Sequence, residues 1–128
     1  MITRLLHTRY RVNDLDKTVR FYREVLGLQE LRRSQSGRGS ELVFLKAPDS
    51  EELIEICRYP ASGPVQVQPD LTHLAFEVEE WGKFEAHLKK LGVPITDGPH
   101  HLEDGRIIAF IDAPEGYEIE LIQPERSK

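Results

Sequence analysis

The chain reads as an α+β fold of two tandem β-α-β-β-β modules, on three observations: an internal repeat, an amphipathic helix at the same place in each half, and strand-like stretches after each helix. The repeat is direct. LHTRYRV (6–12) faces THLAFEV (72–78), VFLKAP (43–48) faces AFIDAP (109–114), and ELIEI (52–56) faces YEIEL (117–121). His7 and His73 stand 66 positions apart, and Glu55 and Glu120 stand 65 apart. One supersecondary unit is therefore used twice, carrying a His early and a Glu late in each copy.

Residues 5–12 alternate as a strand does, with Leu6, Thr8, Tyr10 and Val12 on one face and His7, Arg9 and Arg11 on the other. Asn13 or Asp14 then offers a helix N-cap. Leu15, Val19, Tyr22 and Leu26 follow at helical spacing, and Gly27 supplies the C-terminal stop. Three strand-like stretches come next, near 28–33, 41–46 and 52–58, divided by the turn-rich segments SQSGRGS and APDSE. The second half repeats this order, with a strand over 72–78 and a helix marked by Trp81, Phe84, Leu88 and Leu91 and closed by Gly92. Its later strands are expected near 93–97, 106–111 and 117–122. RYPASGPVQVQPD (58–70), with three prolines, reads as the join. The expected layout is one domain over 1–128, with module one at about 4–58, a linker at about 59–70 and module two at about 71–123.

Composition narrows the function classes. With 128 residues, 39% hydrophobic and 30% charged, the chain can bury one core. A net charge of −5 without a Lys/Arg-rich stripe argues against nucleic acid as partner. No apolar run nears the roughly 20 residues of a membrane helix, and the first residues lack a signal-peptide core, so the expectation is a cytoplasmic protein. Cys57 is the only cysteine, which excludes an intrachain disulfide.

Strand alternation selects the residues able to share a surface. Leu53, Glu55 and Cys57 lie on one face of their strand, and Glu118 and Glu120 lie opposite Tyr117, Ile119 and Leu121 on theirs. The apolar faces are expected under the helices, leaving the His- and Glu-bearing faces to line a cavity. Two imidazoles and two carboxylates form a chemically competent set for Zn, Ni, Co, Mn or Fe(II). Other residues read more simply. Arg9 is expected in solvent or in a salt bridge, Cys57 as a small buried hydrophobe, His87 as solvated, and His100 and His101 as loop polarity. Tyr22, Trp81 and Phe84 are expected in the core.

The paired β-α-β-β-β pattern, HTRYRVNDLDKTVRFYREVLGL near the start and DAPEGYEIELI near the end resemble the glyoxalase I branch of the vicinal-oxygen-chelate superfamily. Its closing motif, Asp-Pro-Asp/Glu-Gly-x-x-Ile-Glu-Leu, appears as Asp112 to Leu121 with Ala113 inserted before Pro114. The resemblance implies a cup-shaped mixed sheet, a homodimer with sites shared between chains, and one divalent metal per site, Ni, Co or Zn foremost with Mn and Fe as further candidates. It carries the metal ligands onto His7, Glu55, His73 and Glu120, the proton-transferring carboxylates onto Glu120 chiefly and Glu55, and a substrate carboxylate onto Arg11. The implied reaction is that of a carbon-sulfur lyase of the lactoylglutathione type. It isomerises the hemithioacetal of an α-ketoaldehyde such as methylglyoxal and a thiol to a 2-hydroxyacyl thioester, a detoxification in which a metal stabilises the enediolate as Lewis acid.

A Glu at position 55 sets the chain apart from extradiol dioxygenases and thiol transferases, which lack that ligand, and from methylmalonyl-CoA epimerase, which carries Gln. These enzyme classes are the alternative readings, together with a non-catalytic small-molecule binding or resistance protein. Two positions differ from the glyoxalase I pattern. Tyr59 stands where the family has a glutathione-binding Asn, and HHLEDGR, ending at Arg106, replaces its lysine-bearing loop.

Overall fold

Strand β1 (His7–Arg11) opens the first unit and helix α1 (Leu15–Glu24) follows it, in a computed structural model that describes residues 1–125. The Asp14 carboxylate caps α1 by accepting from the Lys17 N–H at 3.0 Å. Leu15, Thr18, Val19 and Tyr22 form its buried side. At the far end Gly27, at φ 75°, reverses the chain, and the Leu28 N–H returns to the Tyr22 carbonyl. β2 (Gln29–Gln35), β3 (Glu41–Lys46) and β4 (Leu53–Arg58) complete a four-stranded mixed sheet in the order β1-β4-β3-β2. The first and last strands of the unit are parallel neighbours; the other pairs are antiparallel.

The second unit repeats this plan with β5 (His73–Glu77), α2 (Trp81–Leu91), β6 (Asp97–His101), β7 (Ile107–Asp112) and β8 (Glu118–Gln123), in the order β5-β8-β7-β6. Its helix begins differently. Glu80 makes no side-chain cap, and the Trp81 N–H is met instead by the Gln123 side-chain oxygen at 2.6 Å. Gly92 ends α2 in the left-handed conformation and donates to the carbonyls of Leu88 and Lys89.

The chain forms two compact units, one over residues 1–66 and the other beginning at Val67. Each unit has its own core, set by the alternation seen in the sequence. Val43, Leu45 and Ile56 are fully buried with Val19 and Tyr22 in the first, and Ala109, Ile111, Ile119 and Leu121 with Leu88 in the second. A side chain such as Ile56 or Leu121 contributes about 1.5–3 kcal/mol through burial. The two equivalent sheets are separately hydrogen-bonded, so the expected mixed sheet is two sheets of four strands.

One element lies elsewhere than its pattern suggested. The β-branched residues of 93–97 pointed to a strand there, yet β6 covers Asp97–His101, and His100 and His101 pair with Ile108 and Ile107 of β7 instead of lying in a loop. Pairing begins at Thr96, whose N–H donates to the Phe110 carbonyl. The partner strand decides this register, overriding the weak β propensity of Gly, Pro and His. No helix among the described residues is long and apolar enough to cross a membrane.

Candidate functional site

Parallel pairing of the first and last strands of each unit brings its His and Glu onto one surface. Arg9 lies opposite Glu55, so His7, two residues earlier on the same face, is Glu55's diagonal neighbour; Ala75 lies opposite Glu120, with His73 in the same diagonal place. The side chains meet accordingly. His7 Nε2 is 3.4 Å from Glu55 Oε2, and His73 Nε2 is 3.0 Å from Glu120 Oε1. All four residues singled out as ligands therefore form pairs, one within each unit.

Each imidazole leans on an aromatic ring from the strand beyond its own neighbour, the one antiparallel to the Glu-bearing strand, where Phe44 lies opposite Glu55 and Phe110 opposite Glu120. His7 meets Phe44 at 5.5 Å between centroids and His73 meets Phe110 at 5.8 Å, both edge-to-face. Phe44 and Phe110 were legible in the aligned segments VFLKAP and AFIDAP, where they occupy the same place. They hold the imidazole planes in matching orientations.

The carboxylates differ in their surroundings. Glu55 is buried, its other oxygen, Oε1, receiving the Arg9 Nε–H, and it sits beside the buried thiol of Cys57. Glu120 is half-buried, with Ala75 across the strand pair where Glu55 has Arg9. The salt bridge expected as one outcome for Arg9 thus falls on a candidate ligand. Burial pushes the Cys57 thiol up from its ordinary value, which fits a small apolar filler better than a reactive thiolate. Arg11 lies on the same face and donates to the Gly63 carbonyl at 2.6 Å.

The remaining histidines stand apart from these pairs. His100 bonds Asp97 at 2.7 Å, and His87, expected in solvent, is half-buried against Phe84 on α2. Among the described residues no three His, Cys, Asp or Glu side chains converge at one point. Each His–Glu pair supplies two of the three or four protein ligands that a divalent site needs. The spacing within each pair suits that use, since donors held at about 2.1 Å from one ion, about 90–110° apart, stand about 3.0–3.4 Å from each other.

Each unit also has an open cavity on this side. In the first, about 470 Å³ is lined by Arg9, Arg11, Arg38, Ser40, Tyr59 and Ser62 among others. In the second, about 520 Å³ is lined by His73 and Phe110 together with Asp70, Asp97, Asp112 and Glu118. One cavity is cationic and the other acidic. The tight turn at Pro114–Gly116 delivers Glu118 to the second, with Glu115 at φ 65° and Gly116 at φ 89° reversing the chain into β8.

The same layout recurs in known proteins. A probable lactoylglutathione lyase of Synechocystis is 32% identical over 97% of this chain and 98% of its own length, and the lactoylglutathione lyase of Escherichia coli O157:H7 is 32% identical over 94% and 92%. Among solved structures, the trypanothione-dependent glyoxalase I of Leishmania major superposes with a TM-score of 0.78 at 33% identity, covering 95% of this chain and 87% of that one. The antibiotic-binding protein TnmS3 of a Streptomyces shares the fold at a TM-score of 0.76, with 22% identity over 96% and 97% of the two chains. The model of the glyoxalase/bleomycin resistance protein/dioxygenase superfamily matches residues 4–121, and the chain belongs to that superfamily.

Proposed function

We propose that this protein is a metal-dependent glyoxalase I-like lyase, acting on the hemithioacetal of an α-ketoaldehyde, methylglyoxal being the simplest, and a thiol. The observation that carries the reading is the pair of equivalent His–Glu contacts, His7 with Glu55 and His73 with Glu120. Relatives at about one-third identity named as lactoylglutathione lyases support it.

The four side chains would hold one divalent ion, of which Ni, Co and Zn fit the N/O donors best and Mn and Fe also fit. When bound, such an ion supplies Lewis-acid polarisation of the substrate oxygens. The chain's own residues do the rest. Glu120 takes the proton from the carbon bearing sulfur and returns it to the adjacent carbonyl carbon while the hydroxyl proton passes from the first carbon's oxygen to the second's, so the hemithioacetal becomes a 2-hydroxyacyl thioester with no net gain or loss of atoms. Glu55, fixed by Arg9, keeps its place as the counterpart carboxylate. His7 and His73, braced by Phe44 and Phe110, fix the geometry, and Arg11 offers a guanidinium to a substrate carboxylate.

Two ligands per unit leave a complete set to be assembled from two units. We place His7 and Glu55 of one chain with His73 and Glu120 of a second copy, in a homodimer. Leu5 and Leu6, 64% and 66% exposed beside His7, support a face that another chain covers. The single buried cysteine supports a cytoplasmic setting.

The deciding experiment is a panel in which the metal-stripped protein is reloaded with Ni, Co, Zn, Mn or Fe(II). Each form is assayed with methylglyoxal plus glutathione and plus other low-molecular-weight thiols. Thioester formation with at least one pair is expected. Tight ligand binding without turnover on any pair would replace the enzyme by a binding protein of the kind the TnmS3 likeness illustrates.

A further inference from the structure

We propose that Arg9 is a positioning residue that selects the metal: by holding one oxygen of Glu55 it restricts that carboxylate to a single ligating oxygen, which favours ions that demand regular coordination angles over those that accept a chelating carboxylate. The proposal deepens the lyase reading and rests on its metal site, though not on turnover.

The two oxygens of Glu55 face different partners. Oε2 stands 3.4 Å from His7 Nε2, a spacing that two ligands of one ion can keep, whereas Oε1 receives the Arg9 Nε–H. Parallel pairing fixes this division, because Arg9 lies opposite Glu55 in the β1–β4 register and His7 lies two residues earlier on the same face. Glu55 is only 2% exposed, so each of its oxygens needs a partner: one left without bears the cost of its lost hydration. Arg9, His7 and Glu55 belong to one unit, and both contacts of Glu55 are made within it.

A carboxylate that ligates through both oxygens closes a four-membered ring with a narrow bite. Calcium accepts that geometry readily and manganese follows it, whereas zinc and nickel favour separate single donors at regular angles. With Arg9 in place, Oε1 is already engaged in a charge-assisted bond, and Glu55 offers Oε2 alone. Without Arg9, Oε1 is a buried acceptor lacking its donor, and it turns towards the ion beside Oε2. The gain falls on the ions that accept chelation. The fold does not require such a clamp, since Ala75 takes the equivalent place opposite Glu120 in the second unit and has no donor to offer.

Chelator-competition titrations of the intact chain measure its affinity for Zn, Ni, Mn and Ca in the parent, in Arg9→Met and in Arg9→Lys. Arg9→Met keeps an unbranched stem and removes the donor, while Arg9→Lys restores a donor and the charge. Arg9→Met is expected to lower the Ni-to-Mn and Zn-to-Ca affinity ratios by about tenfold or more, as loss of a group that orients a ligand does, and Arg9→Lys to recover part of the change. A ratio taken within one protein cancels a general loss of folding or of local charge, since either moves all four ions alike. Equal shifts for all four ions, or ratios within twofold of the parent, overturn the proposal; the second is also the result if a carboxylate of another copy draws Arg9 away from Glu55. Turnover separates the two ideas. Ratios that move with Arg9 on a reloaded protein that forms no thioester defeat the lyase reading and leave the metal selection; thioester formation with ratios that do not move does the reverse. A chain that takes up none of the four ions defeats both.

Discussion

The two halves of this molecule share topology, register and a His–Glu pair, yet they differ around the carboxylate. Glu55 is buried and tied to Arg9, whereas Glu120 is half-buried opposite Ala75. The duplicated unit keeps one chemical motif in two different settings. A carboxylate clamped by a guanidinium suits a fixed ligand, and one without that clamp suits proton transfer, which requires the group to change partners. The adjoining cavities diverge in the same sense, cationic beside the fixed carboxylate and acidic in the second unit.

The deepest expected effect tests what the halves share. Ile56 and Leu121 occupy equivalent, fully buried places, so Ile56→Ala and Leu121→Ala should each cost about 2–5 kcal/mol in chemical denaturation. A loss confined to one of them would show that only one core holds the molecule together. The next effect separates the carboxylates. Glu120→Gln should lower turnover per bound metal by about 10²-fold or more, while Glu55→Gln should act mainly by lowering metal content. Elemental analysis beside kinetics distinguishes these outcomes, and equal losses per metal would make the two residues alike.

Arg9→Ala makes the first half resemble the second. Removing the partner of a buried carboxylate should cost about 1–2 kcal/mol, allowing for the half-exposed guanidinium. A thermal melt should register it as a drop of several degrees. An unchanged midpoint would mean that water or His7 satisfies Glu55 unaided. The smallest effect lies at the helix starts. Asp14→Ala should cost about 1 kcal/mol, whereas Glu80→Ala, at a position without a side-chain cap, should cost only a few tenths. Equal losses would show that the two caps are energetically the same.

Much of this was legible in the sequence because the determinants are local or periodic. The order of elements, the cap at Asp14, the stop at Gly92 and the shared face of His7 and Glu55 all follow from spacing. Phe44 and Phe110 were present in the aligned repeat, but only the pairing of adjacent strands shows that they touch the histidines. The Arg9–Glu55 contact depends on β1 and β4 being parallel neighbours in one register, which connects residues 46 positions apart. β6 was misplaced for a similar reason, its extent being set by hydrogen bonds to β7 that no local propensity encodes. The Arg38 side of the cavity depends on where a surface turn folds back, which composition leaves open.

Parallel pairing of each unit's outermost strands also governs when the pairs can come into being. His7 must wait for β4, and His73 must wait for β8, the last strand among the described residues. A nascent chain carries its imidazoles long before their carboxylate companions emerge, and the closing contact in each unit spans almost its whole length. Such long-range closures slow folding, because the entropy of the intervening loop is lost before the contact rewards it. They also make the paired surface a late and cooperative product. A half-made or clipped unit offers an isolated imidazole without its carboxylate, so any ion that the pairs were to hold would be captured only on completion of the fold.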